Sequence, residues 1–473
     1  LDSLQLSVIE SSDITGLTTL QIAVITDEQF IGFSTLQISL FSTTQIAAVS
    51  ATLSTNQLAA LTSAQLGGLT TIQIAALDTD HVIAIETRDM SGLSISQIAA
   101  FNNDSVGNLT TVQISALNSL QISAITTSQL EFLTSMQIRA IETADLSGLN
   151  TLQITGFTAD QFTSLTTLQI PALSTVQIRA IAVAMGTDQI VALTSQQIAA
   201  LTTTQIASLD GTRTSVIETR DLSTLTTSQI AAISLDGFDA ITTLQISALT
   251  SAQIQAITTA QFGRFDTAMI RAIETSDIAG LTTAQIALFE ASKINALNSS
   301  QLAQLSTNQI RALNADEFWQ LESPTIVALN SVQINAFTTT QIISLLADQV
   351  EAIESRDIIG LSTSQIAVLR DDSVAALNSL QISALSSAQI SAFTTSQFSG
   401  MTTLQIKAIE TRDLAALTTA QIMILDDDRF QSLTTLQISV LSTHQIKAYT
   451  ASISKQQLQA LSSAQIGALT TEQ

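Results

Sequence analysis

Leu69-Thr70-Thr71-Ile72-Gln73-Ile74-Ala75-Ala76 is an octad, and it recurs with variation along the whole chain. Leu417-Thr418-Thr419-Ala420-Gln421-Ile422 and Leu433-Thr434-Thr435-Leu436-Gln437-Ile438 repeat its first six positions. Position 1 is Leu, Ile or Phe, positions 2 and 3 are Thr or Ser, and position 5 is Gln. Position 6 is Ile and position 8 is usually Ala or Gly, while positions 4 and 7 vary. Self-similarity at a fixed period is the mark of a repeat architecture.

The octad contains a complete helix start. Thr at position 2 serves as N-cap, and Gln at position 5 then falls at N3, which makes a capping box. The apolar residues at positions 1 and 6 are N′ and N4, the two ends of a hydrophobic staple. A continuous helix does not fit, because eight residues overshoot two turns by about 80° and the apolar stripe would wind around the axis. The same drift excludes a heptad coiled coil. The expected fold is therefore all-α, a solenoid of very short helices, one per octad. Positions 1, 6 and 8 should be buried, and positions 4 and 7 exposed. A β-solenoid is the alternative, since Thr and Ile favour strands, but no position regularly carries the Gly or Asn that would turn its corners.

A longer period lies over the octad. The variant unit I-E-[ST]-x-D-[LIM] begins at Ile9, Ile85, Ile141, Ile217, Ile273, Ile353 and Ile409, with gaps of 76, 56, 76, 56, 80 and 56 residues. Pairs of gaps give 132, 132 and 136. Phe30, Phe162, Ile294 and Phe430 follow the same spacing. Gln-to-Gln distances stretch to 12 residues at Gln45–Gln57, Gln177–Gln189 and Gln445–Gln457. The third block carries two full octads there instead, around Phe318, Trp319 and Pro324. The blocks are 1–132, 133–264, 265–400 and a partial 401–473. The opening on Leu1 and the stop within an octad at Gln473 suggest a segment of a longer array.

Composition narrows the function. The 473 residues hold 45% hydrophobic side chains, enough for a large core, yet only 12% charged ones and a net charge of −23. That balance repels nucleic acid and anionic membranes. Cysteine is absent, which removes disulfides and thiolate chemistry. No apolar run is long enough for a membrane span, because Thr, Ser and Gln interrupt every one.

Candidates for chemistry are few. His81 stands at the Gln position beside Asp80, far from His444, and reads as a variant capping residue. Asp426, Asp427 and Asp428 form the densest acidic run, the one weak candidate for a cation, though Asp is also a good N-cap. Asp78 with Asp80 and Asp371 with Asp372 are sparser. In the I-E-[ST]-x-D units, Glu replaces the capping Thr and Asp replaces Gln. These give the candidate assembly or joint residues Glu86, Asp89, Glu142, Asp145, Glu218, Asp221, Glu274, Asp277, Glu354, Asp357, Glu410 and Asp413. Arg139, Arg271 and Lys407 precede some of them and suggest local ion pairs. Trp319 and Tyr449 are expected to fill or cap irregular units rather than bind a ligand. No catalytic set, cofactor motif or metal spacing is found, so no cofactor is expected.

The L-T-T-x-Q-I-x-A-L pattern, as in Leu193-Thr194-Ser195-Gln196-Gln197-Ile198, resembles arrays in very large secreted or surface adhesin-like proteins of Gram-negative bacteria. That resemblance covers nearly the whole chain. It implies an extracellular or cell-surface location and contact with glycans or surfaces. The reading of the residues is a non-enzymatic structural protein that associates with itself as a stalk, fibre or sheath. An adhesin that binds a glycan, surface ligand or cation along the solenoid is the alternative.

Overall fold

The computed structural model describes residues 1–450, 452–471 and 473. They divide into two compact units, Leu1–Ile241 and Thr242–Gln473. Each is built from short helices of three to six residues, and no strand occurs among the described residues.

The local reason is the helix start read in the sequence. In the helix Thr71–Ala75 the Thr70 side chain accepts from the Gln73 N–H, and Gln73 Oε1 accepts from the Thr70 N–H at 2.7 Å. The same reciprocal box starts the helices Ser195–Ala200 and Thr363–Val368. Each helix then ends within two turns, because the residue at position 1 of the next unit leaves helical geometry. Leu201 and Leu369 both take ψ near 140°. A helix this short is not stable alone. Its staple residues carry it into the core: Ile74, Ile198 and Ile366 are buried, as are Leu69, Leu193 and Leu361.

Three octads make one turn of the superhelix. Gln97 Nε2 donates to the carbonyls of Leu66 (2.9 Å) and Leu69 (2.8 Å), 31 and 28 residues back. Gln113 does the same to Val82 and Ile85, and in the second unit Gln285 does so to Ile254 and Ile257. Twenty-eight residues are three octads plus the four that separate position 1 from position 5, so each octad stacks on the one three units earlier. Each unit is thus a three-sided helical solenoid, one octad per side, around an apolar axis.

Burial departs from the sequence reading at two positions. Position 8 is only partly covered: Ala84 and Ala100 are half-buried and Ala76 is exposed. Position 5 is buried instead, with Gln97, Gln113 and Gln197 each 2% exposed. The chain turns its corner at position 8, whereas position 5 faces the preceding turn.

The stretched units are short sides. Residues 49–52 form no helix, yet they take a full place in the stack. Gln73 Nε2 donates to Val49 O at 2.7 Å, as it would to position 1 of an octad. Across such a side the ladder spans 24 residues, as from Gln57 to Phe33. Residues 181–184 repeat the arrangement, with Gln205 donating to Ile181 O. Tyr449 holds the same place in the second unit.

Candidate functional site

The residues with chemistry to offer are those at position 5, and their geometry begins with glutamine. A capping box needs only a side-chain acceptor, which Glu supplies as well as Gln. The chain nevertheless uses Gln in most octads, and Glu stands at position 5 once, as Glu317. The amide explains the choice. Its oxygen closes the box within its own helix, and its nitrogen spans to the previous turn. There it satisfies the position 1 carbonyl and supplements that of position 6. The position 1 carbonyl precedes the helix and accepts no backbone bond of its own. A buried carbonyl left without a donor costs roughly 1–3 kcal/mol. The strut was missed in the sequence, although the near-exclusion of Glu was a visible signal.

At four of the aspartates that take position 5, and at Glu317, the direction of bonding reverses. Asp89 accepts from Ser63 Oγ at 2.6 Å, and Asp221 and Asp413 accept from Ser195 and Ser387 at 2.5 Å each. Asp277 accepts from Ser251 in the same way. Glu317 accepts from the Ala291 N–H at 3.2 Å. Every donor sits at position 3 of the octad one turn earlier. Asp89, Asp221, Asp357 and Asp413 are buried, and Asp145 and Asp277 half-buried.

Position 8 tightens these units. A Cβ on Gly92 would lie 2.1 Å from the Ser63 carbonyl oxygen, and one on Gly360 equally close to that of Ser331. Glycine lets the two turns touch, and these units coil as 3₁₀ rather than α helix. Where Thr224 or Ala416 holds position 8, the helix is α, as in Thr219–Leu222 and Thr411–Leu414.

The glutamates of the variant units do not cap. Glu86, Glu218, Glu274 and Glu410 stand at the N-cap without a side-chain bond to the helix. Glu86, Glu218 and Glu354 instead pair with Arg88, Arg220 and Arg356 two residues on, the first two at 2.6 and 2.8 Å. Glu142 and Glu274 have no arginine at that place. Among the described residues Arg139, Arg271 and Lys407 make no ion pair with these units. In the units of Glu86, Glu218 and Glu354 the partner is the position 4 arginine two residues on, whereas Arg412 pairs with Asp413 at 3.3 Å. Arg271 Nε donates to Ala296 O instead.

The stack also sorts the variant units by side. From Ile85 to Ile141 there are seven octads, and from Ile273 to Ile353 ten. From Ile9 to Ile85 there are nine octads and one short side, again ten sides. Neither seven nor ten is a multiple of three, so each variant unit stands one side on from the last. Glu86, Glu142 and Glu218 occupy three different sides of the first unit, and Glu274, Glu354 and Glu410 three sides of the second.

The other candidates separate. Asp426 caps the helix Asp427–Gln431 and pairs with Arg429 at 3.0 Å, while Arg429 Nε donates to Met401 O. Asp427 accepts from Tyr449 Oη at 2.9 Å, and Asp428 faces solvent. No group of three His, Asp or Glu side chains arranged to hold a metal occurs among the described residues. His81 Nδ1 lies 2.5 Å from Asp78 Oδ1. The Asp78 carboxyl is lowered below its ordinary pKa, first by the His81 backbone N–H and then by the ring. His444 is exposed. Tyr449 does fill its irregular turn. It stacks on Phe430 with ring centres 3.6 Å apart, and burial followed by its bond to Asp427 pushes the phenol pKa up. Trp319 does not fill its own: it stands 55% exposed at position 7, and Phe318 occupies the core. A cavity of about 310 Å³ over the first short side is lined by Val49, Ala51, Leu53, Leu69, Ile72 and their neighbours, none of them titratable.

A family model for the ALTTAQ repeat matches residues 51–79, 82–119, 138–175, 183–210, 215–251, 270–315, 350–387 and 406–451. No curated protein matches the chain.

Proposed function

This chain belongs to the ALTTAQ repeat family, and on that premise we propose that it is a non-catalytic structural array, which works by associating with further copies of itself as a surface stalk, fibre or sheath. The observation that supports this reading is the set of apolar side chains that each unit leaves outside the core at position 4. Leu20 and Ile72 are 81% exposed, and Leu120, Leu168, Leu244 and Leu404 stand out in the same way. Each offers a small apolar contact, and the repeat presents the same contact many times over. Around them lie neutral Thr and Ser hydroxyls, so many weak identical contacts multiply along an array. The chemical groups at position 5 are occupied in internal struts, which fits a scaffold better than a catalyst. An extracellular setting rests on the resemblance to surface arrays. If the variant units also make lateral contacts, their placement on three sides directs those contacts three ways.

The test is light scattering with cryo-microscopy across a concentration series. The parent should form ordered, concentration-dependent assemblies. A chain with Leu20, Ile72, Leu120, Leu168, Leu244 and Leu404 each changed to Gln should keep its helical spectrum and lose them. A parent that stays monomeric at every concentration overturns the proposal and leaves ligand recognition along the outer surface, the adhesin reading, as the function.

A further inference from the structure

A ladder of identical rungs has a weakness. Each Gln strut finds the same pair of carbonyls in any octad, so a chain that loops out one octad can rebuild every later turn one unit out of step. Nearly degenerate compact states of this kind compete with the native one. The Ser–Asp contacts are not interchangeable. Asp89, Asp145, Asp221, Asp277, Asp357 and Asp413 each have a serine 26 residues earlier, at positions 63, 119, 195, 251, 331 and 387. One octad to either side, most of them would meet threonine: Asp89 would face Thr55 or Thr71, Asp145 Thr111 or Thr127, Asp221 Thr187 or Thr203, and Asp277 Thr243 or Thr259.

The geometry gives that difference force. The Gly92, Gly148, Gly280 and Gly360 backbones press against the serine beneath them, where an added Cβ would lie 2.0–2.5 Å from the serine carbonyl oxygen and about as close as 3.0 Å to its Cα. A β-branched residue brings an extra methyl into this contact, and χ1 is stiff in such side chains. Serine brings only the hydroxyl that the buried carboxylate needs, and a buried carboxylate without its donor is costly.

We propose that Asp at position 5 and Ser at position 3 of the octad one turn earlier form a register key, which locks the array against slippage by one octad. The key acts on the choice among stackings, while the Gln struts and the Ile/Leu core hold whichever stacking is chosen. The Ser–Asp bond forms at Asp89 and Asp221 in the first unit and at Asp277 and Asp413 in the second, so it pins two sides of each. At Asp145 and Asp357 only the glycine contact with the serine is made.

The absence of cysteine makes the test direct. An added Cβ at Gly107 would lie 3.3 Å from Phe132 Cβ, near disulfide reach. Gly107→Cys with Phe132→Cys therefore reports the native register. Gly107→Cys with Ala140→Cys reports a register shifted by one octad. Oxidation of the 473-residue parent should trap the first pair and hardly any of the second. In a keyless chain the keys of the first unit are replaced by consensus residues: Ser63→Thr, Asp89→Gln, Gly92→Ala, Ser119→Thr, Asp145→Gln, Gly148→Ala, Ser195→Thr and Asp221→Gln. That chain should keep its helical far-UV spectrum, and the shifted cross-link should rise roughly tenfold or more, equivalent to 1.4 kcal/mol of lost preference. Restoring Ser63, Asp89 and Gly92 alone should lower it again. A folded keyless chain with no more shifted product than the parent overturns the proposal. So does a keyless chain that fails to fold, because the pairs would then supply stability rather than register.

Discussion

Residues 85–92 and 93–100 are consecutive octads that solve one problem in opposite ways. In the second, Gln97 reaches down and donates to Leu66 and Leu69. In the first, Asp89 is reached from below by the Ser63 hydroxyl, and Gly92 lets the turns close on each other. The Gln octad is tolerant, because its contacts are to backbone carbonyls that every octad possesses. The Asp octad is particular, because its contact with the turn below is to one side chain. An array of this length needs many of the first kind and a few of the second.

The most severe break in this contrast is Gln97→Glu. The box in its own helix survives, but the strut becomes a buried carboxylate facing two carbonyls. An uncompensated buried charge costs about 3–5 kcal/mol. Hydrogen exchange should show the loss concentrated in the adjoining turns, since stability in stacked repeats is passed between neighbours. A loss under about 1 kcal/mol would mean that the ladder carries no weight. Ile98→Ala, which leaves the strut intact and empties the core beside it, should cost about 2–4 kcal/mol in the same measurement.

Gly92→Ala sharpens the contrast from the other side. The added Cβ must displace the Ser63 backbone, at about 1–3 kcal/mol in chemical denaturation. Gly16→Ala, with nothing within 4 Å of its new Cβ, should be neutral or slightly stabilising. Equal losses at both would contradict the close approach of turns at the Asp octads.

Tyr449 predicts an effect of pH confined to the second unit. Its folded pKa is raised, so its contribution is fully present below the unfolded value of about 10 and fades as pH climbs beyond it. Alkaline titration followed by Tyr absorbance and by exchange should show the turn around Phe430 loosening first. A Tyr449 that ionises at the ordinary pKa would remove the packing argument. Ala199→Ser, at a variable and half-buried position, should change stability by no more than about 0.5 kcal/mol.

Much of the fold was legible because it is local. Thr70 and Gln73 lie three residues apart, so the capping box could be read from spacing, and Leu69 with Ile74 gave the staple. The burial of Gln73's homologues was not legible, because the octad alone does not say what stands three units below. The same gap hid the Ser63–Asp89 contact, although the 26-residue spacing recurs six times. It also made the 76- and 80-residue gaps look like different distances. In the fold both are ten sides, since residues 49–52 and 181–184 each count as one.

The sequence by itself determined that helices start every eight residues and stop soon after, because capping, propensity and staple act within a single octad. Only the tertiary structure decided that three octads close one turn, which carbonyl each amide reaches, and which serine each aspartate takes. Those choices depend on distances between residues 24 to 31 apart in the chain. No local preference encodes them, and they exist only once one turn lies on the next.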